Sequence, residues 1–373
     1  MNQKPTSYVL AALGFLPVFA FAVTPILTSV SGTVQQGLTV TITGTSMVQE
    51  DQSGWVSFFQ SHTDASGFEG AGDLTSMGYD TAHDADWTID TSIKLMGTKS
   101  LRNHSSGERI HSPPNLPQHG AEFHIFGPTN MSTASATVDV WMRNYIRVDT
   151  GATGEWPHNY GGGSADFKIF GKWPGGGGPL GFWASFAVPD SSPPNTPTGI
   201  RLTPTNLSNF FSSGPTIVKN RWYCVELKVP IHSNNHVWQI YVDNALVFSQ
   251  DLGQGIDFTG SGNQWYGFFT NWYSTTPTFD QFIWTDGLGV KNNSRIGPAS
   301  MIEIGNSSNY ATATKVYQAP EFLSDTSLQI KVDLTGLGAG PYFLWVTNNR
   351  GERSLALGLS SSTLPAPLNL RLP

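Results

Sequence analysis

The feature that most constrains this fold is an alternating segment, residues 137–148, which reads Thr-Val-Asp-Val-Trp-Met-Arg-Asn-Tyr-Ile-Arg-Val. Successive side chains of a β-strand point to opposite faces of the sheet. One face of this segment is apolar apart from Asn144, and it carries Val138, Val140, Met142, Ile146 and Val148. The other face carries Thr137, Asp139, Trp141, Arg143, Tyr145 and Arg147. The pattern predicts a strand with one face on a hydrophobic core and one face that mixes cations with aromatic rings.

Composition extends the β prediction to the rest of the chain. Only 13% of the 373 residues are charged, whereas there are 40 glycines, 24 prolines and 12 tryptophans. Aromatic residues make up 12%, which is enough to build a core, so the low charge does not indicate disorder. No segment of useful length has helical periodicity, and we therefore expect an all-β fold. The formal net charge of −7 repels phosphate backbones, so we expect no nucleic-acid partner.

The N-terminus has the pattern of a signal peptide over residues 1–22. Lys4 is followed by an apolar run from Val9 to Ala22, which ends in a small-x-small cleavage motif. Because this run is shorter than the ~20 residues needed to cross a bilayer, we expect cleavage and export, and no membrane span afterwards. The alternative is an uncleaved anchor helix.

The chain contains a single cysteine, Cys224, which excludes an intramolecular disulfide. Combined with export, this favours a bacterial protein that is extracellular or periplasmic. The apolar surroundings of Cys224 in the sequence predict a small buried residue rather than a nucleophile.

Two distant segments resemble parts of one small domain. Residues 24–47 contain two short strands around a Gln36-Gly37 turn, and the second strand reads Leu-Thr-Val-Thr-Ile-Thr-Gly. This resembles the opening of an IPT/TIG domain, which is an immunoglobulin-like sandwich. Residues 340–351, Gly-Pro-Tyr-Phe-Leu-Trp-Val-Thr-Asn-Asn-Arg-Gly, resemble the closing strand and turn of that family.

A pair of strands is not stable alone, so we predict that the two ends of the chain fold together. The predicted parts are residues 23–47 with 298–360 as a small sandwich, residues 48–297 as an inserted domain, and residues 361–373 as a loose tail. The alternative is that the two ends are unrelated β segments.

The inserted region resembles concanavalin A-like or laminin G-like jelly rolls. The resemblance rests on Gly97-Thr-Lys-Ser-Leu-Arg102, on Trp222-Tyr-Cys-Val-Glu-Leu-Lys-Val229 and on Ile240-Tyr-Val-Asp-Asn-Ala-Leu-Val247. Residues 137–186 are similar to the core of jelly-roll alginate- and glucuronan-type lyases, although their short signature motifs are missing. The resemblance implies a jelly-roll sandwich that handles glycans on a sheet face.

A glycan site on such a face needs aromatic rings and polar or charged groups. The predicted ligand-binding residues are Trp141, Arg143, Tyr145, Arg147, Lys168, Trp222 and Glu226. Local positive charge on an acidic chain would suit an anionic polysaccharide. The sequence does not show that these strands are neighbours, and each lysine could equally be a solvated edge residue.

Three functions remain open from the sequence. The favoured one is a secreted carbohydrate-binding or adhesion protein, and the second is a polysaccharide lyase that uses Arg143, Tyr145, Lys168 and His124. The third is a structural envelope protein whose strands only pack. The paired carboxylates of jelly-roll glucanases are missing. No metal-ligand pattern is visible, so we expect no cofactor, although a structural calcium ion on loop carbonyls stays open.

Overall fold

The computed structural model describes twelve stretches of the chain. They are residues 23–49, 55–57, 87–106, 119–123, 138–149, 166–172, 182–187, 198–204, 210–231, 235–253, 268–272 and 280–359. All regular structure in them is β-strand, so the predicted all-β fold is confirmed. These stretches hold no helix long and apolar enough to cross a membrane. The predicted signal peptide and the C-terminal tail lie outside the described residues.

The alternating segment forms β7 (Val138–Asp149), in the middle of an eight-stranded antiparallel sheet. The strand order is β14 (Ala245–Asp251), β13 (Val237–Val242), β12 (Trp222–Ile231), β7, β16 (Asp280–Asn292), β5 (Ser100–Ser106) and β4 (Trp87–Asp90). The eighth strand, β3 (Trp55–Ser57), pairs with β16. β7 is 12 residues long and lies between β12 and β16, as expected for a strand that is covered on both faces.

A second sheet packs on the apolar face of β7. Its order is β11 (Phe210–Ser213), β10 (Gly199–Pro204), β9 (Phe182–Ala187) and β8 (Asp166–Lys172). The pair β15 (Phe268–Trp272) and β6 (His119–Phe123) lies beside β8. Met142 and Ile146 of β7 share one buried cluster with Phe186 of β9 and Ile200 of β10. These strands therefore form a two-sheet β-sandwich, in which the apolar side of β7 faces the core as its alternation predicts.

The two ends of the chain share a smaller pair of sheets. One sheet has the order β1 (Ile26–Ser31), β2 (Thr39–Thr45), β20 (Ser327–Lys331) and β19 (Pro320–Leu323). The other has the order β18 (Lys315–Tyr317), β17 (Ser300–Gly305), β21 (Tyr342–Asn348) and β22 (Leu357–Leu359). β2 pairs with β20 in antiparallel register from Thr39↔Lys331 to Thr43↔Ser327. The IPT/TIG assignment and the domain boundaries stay predictions.

The small sandwich lies against the second face of β7. Tyr145, Trp222 and Trp284 of the large sheet belong to one buried cluster with Ile42, Ile302 and Leu328 of the small sandwich. Burying a large apolar side chain contributes about 1.5–3 kcal/mol, so a cluster of this size fixes the two sandwiches against each other. This contact determines whether the predicted glycan site is accessible to a ligand.

Candidate functional site

The structure brings most of the predicted residues together on one face. β7 and β12 are neighbours, and their register pairs Arg147 with Trp222, Tyr145 with Cys224, and Arg143 with Glu226. Strand adjacency was the point that the sequence left open. The predicted row of arginines and aromatic rings therefore exists in space.

That row is not an open groove. The exposed fraction is 0% for Arg143 and Tyr145, 1% for Trp222 and Glu226, and 7% for Trp141. The prediction that these side chains line an accessible glycan cleft is wrong. The physical reason is that the small sandwich packs on this face, while β16 and the segment after it supply the partners that a ligand would have supplied.

The buried charges are satisfied by the chain itself. Arg143 donates from Nε to the carbonyl oxygen of Gly287 at 2.9 Å and from Nη1 to that of Gly297 at 3.2 Å. Glu226 accepts a hydrogen bond from Arg295 Nε at 2.7 Å and one from the backbone N–H of Gly297 at 2.6 Å. Buried charges persist only when they are paired and hydrogen-bonded, as these are. Arg143 and Glu226 thus have structural partners at the junction.

Tyr145 and Cys224 are also enclosed at this junction. The Tyr145 hydroxyl oxygen accepts a hydrogen bond from the backbone N–H of Ala299 at 2.8 Å. Burial raises the pKa of Tyr145 well above its usual value, and burial likewise raises the pKa of the Cys224 thiol. Because Tyr145 is fully buried and its hydroxyl is engaged by Ala299, a substrate cannot reach it in this structure. The prediction that Cys224 is a buried residue is confirmed.

The two ends of the predicted row are less enclosed than its centre. Arg147 is half-buried, and its Nη2 donates to Asn220 Oδ1 at 3.1 Å. Burial lowers the pKa of Arg147, and nearby Glu321 partly offsets this effect. At the other end, Trp141 packs against Tyr241 with ring centroids 6.0 Å apart. Neither residue faces an open trough together with Arg143.

The predicted lyase residues do not form one set. Lys168 lies on β8 in the other sheet, whereas Arg143 and Tyr145 face away from that sheet. His124 directly follows β6 and lies outside the described residues. The positions of Lys168 and of the pair Arg143 and Tyr145 are therefore on different sheets, and the role predicted for His124 stays a prediction.

A different face of the large sandwich carries cationic positions. Ala184 and Phe186 of β9 belong to the core, and so do Ile200 and Leu202 of β10. Because alternate residues point to opposite faces, Ser185 and Arg201 must face away from the core. The register pairs Arg201 with Ser185, and Ser185 with Lys168. We refer to this side of the four-stranded sheet as the outer β8–β11 face.

Ser185 is the unusual group on the outer β8–β11 face. Its side chain is fully buried, and its hydroxyl oxygen has no hydrogen-bond partner within the described part of the chain. Neighbouring strands lie about 4.8 Å apart, which places the Lys168 and Arg201 positions about 10 Å apart on either side of it. Burial lowers the pKa of the Arg201 guanidinium below its usual value.

Sequence reasoning missed Ser185 and Arg201. The signal was present in Ala-Ser-Phe at 184–186 and in Ile-Arg-Leu at 200–202, because each places one polar residue between two apolar ones. The described residues contain no group of three or more His, Cys, Asp or Glu side chains that could hold a metal ion.

Comparison with known proteins gives weak similarities. No family model matches the sequence, and no curated protein matches it. A solved structure of endo-β-1,4-glucuronan lyase from the fungus Trichoderma reesei is 14% identical, with a TM-score of 0.38 over 63% of this chain and 94% of that one. The catalytic domain of a GH131 β-glucanase from Podospora anserina is 8% identical, with a TM-score of 0.36 over 57% and 83%. Alginate lyase A1-II′, of polysaccharide lyase family 7, is 12% identical, with a TM-score of 0.33 over 56% and 84%. We infer neither fold nor function from similarities this low.

Proposed function

We propose that this protein binds an extracellular anionic polysaccharide on the outer β8–β11 face. The observation that carries the proposal is the buried hydroxyl of Ser185, which has no hydrogen-bond partner among the described residues and stands in register between the Lys168 and Arg201 positions. A polar group buried without a partner costs about 1–3 kcal/mol. A bound ligand that forms a hydrogen bond with Ser185 recovers this cost.

The chemistry of the row suits carboxylate or sulfate groups on a sugar chain. A guanidinium presents several N–H donors in a planar fork, which matches an oxyanion in a bidentate arrangement. The Ser185 hydroxyl can donate to a sugar oxygen or accept from a sugar hydroxyl. Because the Ser185 oxygen is buried in this structure, a ligand reaches it only after the atoms that cover it have moved.

Binding without catalysis is the function we favour over a lyase. The residues predicted for proton transfer are divided between two sheets, and Tyr145 is held in the junction by Ala299. Cleavage of the N-terminal 22 residues and an extracellular or periplasmic location are part of the same proposal.

The test is binding of intact protein to a set of polymers, measured by calorimetry or affinity electrophoresis. The set contains alginate, glucuronan, a sulfated glycosaminoglycan and a neutral β-glucan as the uncharged control. We expect binding to at least one anionic polymer, weakening with added salt because exposed charges are screened. Absence of binding to every anionic polymer would overturn the proposal.

Two variants address the site directly. Arg201→Gln removes one charge and should weaken binding about ten-fold, equivalent to about 1.4 kcal/mol. Ser185→Ala removes the unpartnered hydroxyl and should weaken binding without lowering stability. Arg350→Gln, on the turn after β21, is the matched control and should bind as the wild type does. Release of an unsaturated, ultraviolet-absorbing product during the same incubations would instead establish lyase activity.

A further inference from the structure

A cleft lies where the two sandwiches meet, remote from the outer β8–β11 face. Its volume is about 250 Å³. The large sandwich contributes the loop at 218–222, which leads into β12. The small sandwich contributes the turn at 36–37 and residues of 317–321 and 331–333. Ligand sites often lie between such units, and this volume is slightly below the range typical of drug-sized ligands.

The cleft is lined by hydrogen-bonding groups from both sandwiches. Asn220 Oδ1 accepts from Arg147 at 3.1 Å, which leaves the amide N–H groups of Asn220 available as donors. Glu321 Oε2 accepts from Thr39 at 2.9 Å, which leaves Oε1 as an acceptor. Lys331 is exposed beside them and adds a further donor. The lining of the cleft thus includes both donors and acceptors.

The charges lining the cleft balance one another. Lys219 and Lys331 are matched by Glu321 and Asp333. The fifth charged residue, Arg221, is neutralised by an ion pair with Asp243 at 2.7 Å. A site with no excess of either sign gives no advantage to an anionic or a cationic ligand.

The walls also include aromatic and apolar groups. Trp222, Pro320 and Val332 lie among the lining residues. Tyr317 is a further lining residue, and its hydroxyl group is buried, where it interacts electrostatically with Asp243 and Cys224. The cleft therefore offers apolar as well as polar surface to a ligand.

We infer that this cleft binds a single neutral sugar unit. Sugar hydroxyls donate and accept hydrogen bonds at once, which matches a cleft whose lining offers both donors and acceptors. The C–H faces of a sugar ring can pack on the apolar walls. The inference does not depend on polysaccharide binding at the outer β8–β11 face, because the two sites share no residue.

The test is titration of the intact protein with glucose, galactose, mannose and xylose, followed by saturation-transfer NMR and calorimetry. Glucuronate serves as the charged comparison. We expect at least one neutral sugar to bind in the millimolar range and more tightly than glucuronate. Failure of all four neutral sugars to bind, or tighter binding of glucuronate, would overturn the inference.

Variants separate this site from the polymer site. The double variant Glu321→Ala with Lys331→Ala should weaken sugar binding at least ten-fold and leave polymer binding unchanged, whereas Arg201→Gln should do the reverse. Glu352→Gln, which alters a carboxylate outside the cleft, is the control for sugar binding. Thermal unfolding of each variant verifies that the fold is intact. Sugar affinity that is unchanged in the double variant would also refute the inference.

Discussion

Arg143 on β7 donates a hydrogen bond from its Nε to the carbonyl oxygen of Gly287 on β16, at 2.9 Å. The bond lies in the fully buried junction between the large and small sandwiches. Arg143, which the sequence suggested as a ligand-binding residue, therefore links β7 to β16 and to the segment that follows it. The first three predictions concern this junction.

Replacing Arg143 with methionine should destabilise the protein by about 3–5 kcal/mol. The change leaves the buried carbonyl oxygen of Gly287 without its Arg143 donor, removes one of the donors to Gly297, and removes the cation that lies across from Glu226 in register. Urea unfolding followed by tryptophan fluorescence measures the loss. Arg350→Met is the control and should change stability by less than about 0.5 kcal/mol. A loss below about 1 kcal/mol for Arg143→Met would show that the buried pairing contributes little.

Gly287→Ala should be among the most damaging single substitutions in the large sandwich. The residue has φ of +57°, and an added Cβ would lie 2.3 Å from Met96 Cε and 2.7 Å from Tyr145 Cδ2. Backbone strain and overpacking each cost about 1–3 kcal/mol. Gly253→Ala is the matched control, since its φ is +70° but nothing lies within 4 Å of its Cβ. We expect it to cost only about 1–2 kcal/mol in urea unfolding, and equal costs would contradict the steric explanation.

Two buried tyrosines should respond differently when their hydroxyl group is removed, because only one of the hydroxyls has a partner in the described structure. Tyr145→Phe leaves the buried N–H of Ala299 without an acceptor and should cost about 1–3 kcal/mol. Tyr317→Phe removes a hydroxyl that has no partner in the described structure and should be neutral or stabilising. Differential scanning calorimetry of the two variants makes the comparison. A clear loss for Tyr317→Phe would mean that its hydroxyl already has a partner.

Asp90 should make stability depend on pH. Burial alone would raise the pKa of its carboxyl, but hydrogen bonds from Trp284 Nε1, Ser92 N and Ile93 N, together with Arg102, lower that pKa below its usual value of 3.8. An acid with a lowered pKa in the folded state stabilises the protein above its unfolded pKa. That stability is lost as the pH falls from about 4 through the folded pKa.

The matching experiment compares wild type and Asp90→Asn in urea from pH 7 down to pH 3. Asparagine keeps the shape and one oxygen acceptor but removes the charge. The wild type should be the more stable at pH 7, and the difference should shrink as the carboxyl becomes protonated. A difference that stays constant across this range would show that the charge of Asp90 does not matter.

Strand β7 could be predicted from the sequence because the alternation of apolar and polar residues is a local property. The positions of Met142 and Ile146 fixed which face of β7 enters the core, and the structure agrees. Alternation does not tell what covers the other face. Arg143 and Tyr145 bond Gly297 and Ala299, each 154 residues away along the chain, so only the folded structure reveals these contacts.

The outer β8–β11 face was only partly predictable. Lys168 was identified from its strand, but it was placed in a groove with residues that belong to the other sheet. Arg201 and Ser185 follow from the same alternation rule once β9 and β10 are known to be strands. Which strands pair is a long-range property, and no local pattern in the sequence encodes the order β11-β10-β9-β8.

The pairing of β2 with β20 sets an order on the assembly of this protein. Thr39 on β2 bonds Glu321 on β19 across 282 residues, so the first two strands have no sheet to join until the last part of the chain has been made. A ribosome delivers residues from the N-terminus onward, and domains usually fold as they emerge. The hairpin of β1 and β2 therefore has an unpaired edge on β2 until the large sandwich and then β20 have been synthesised. A chaperone or an unfolded export route would protect that edge, and truncation before β20 should leave the hairpin prone to aggregation.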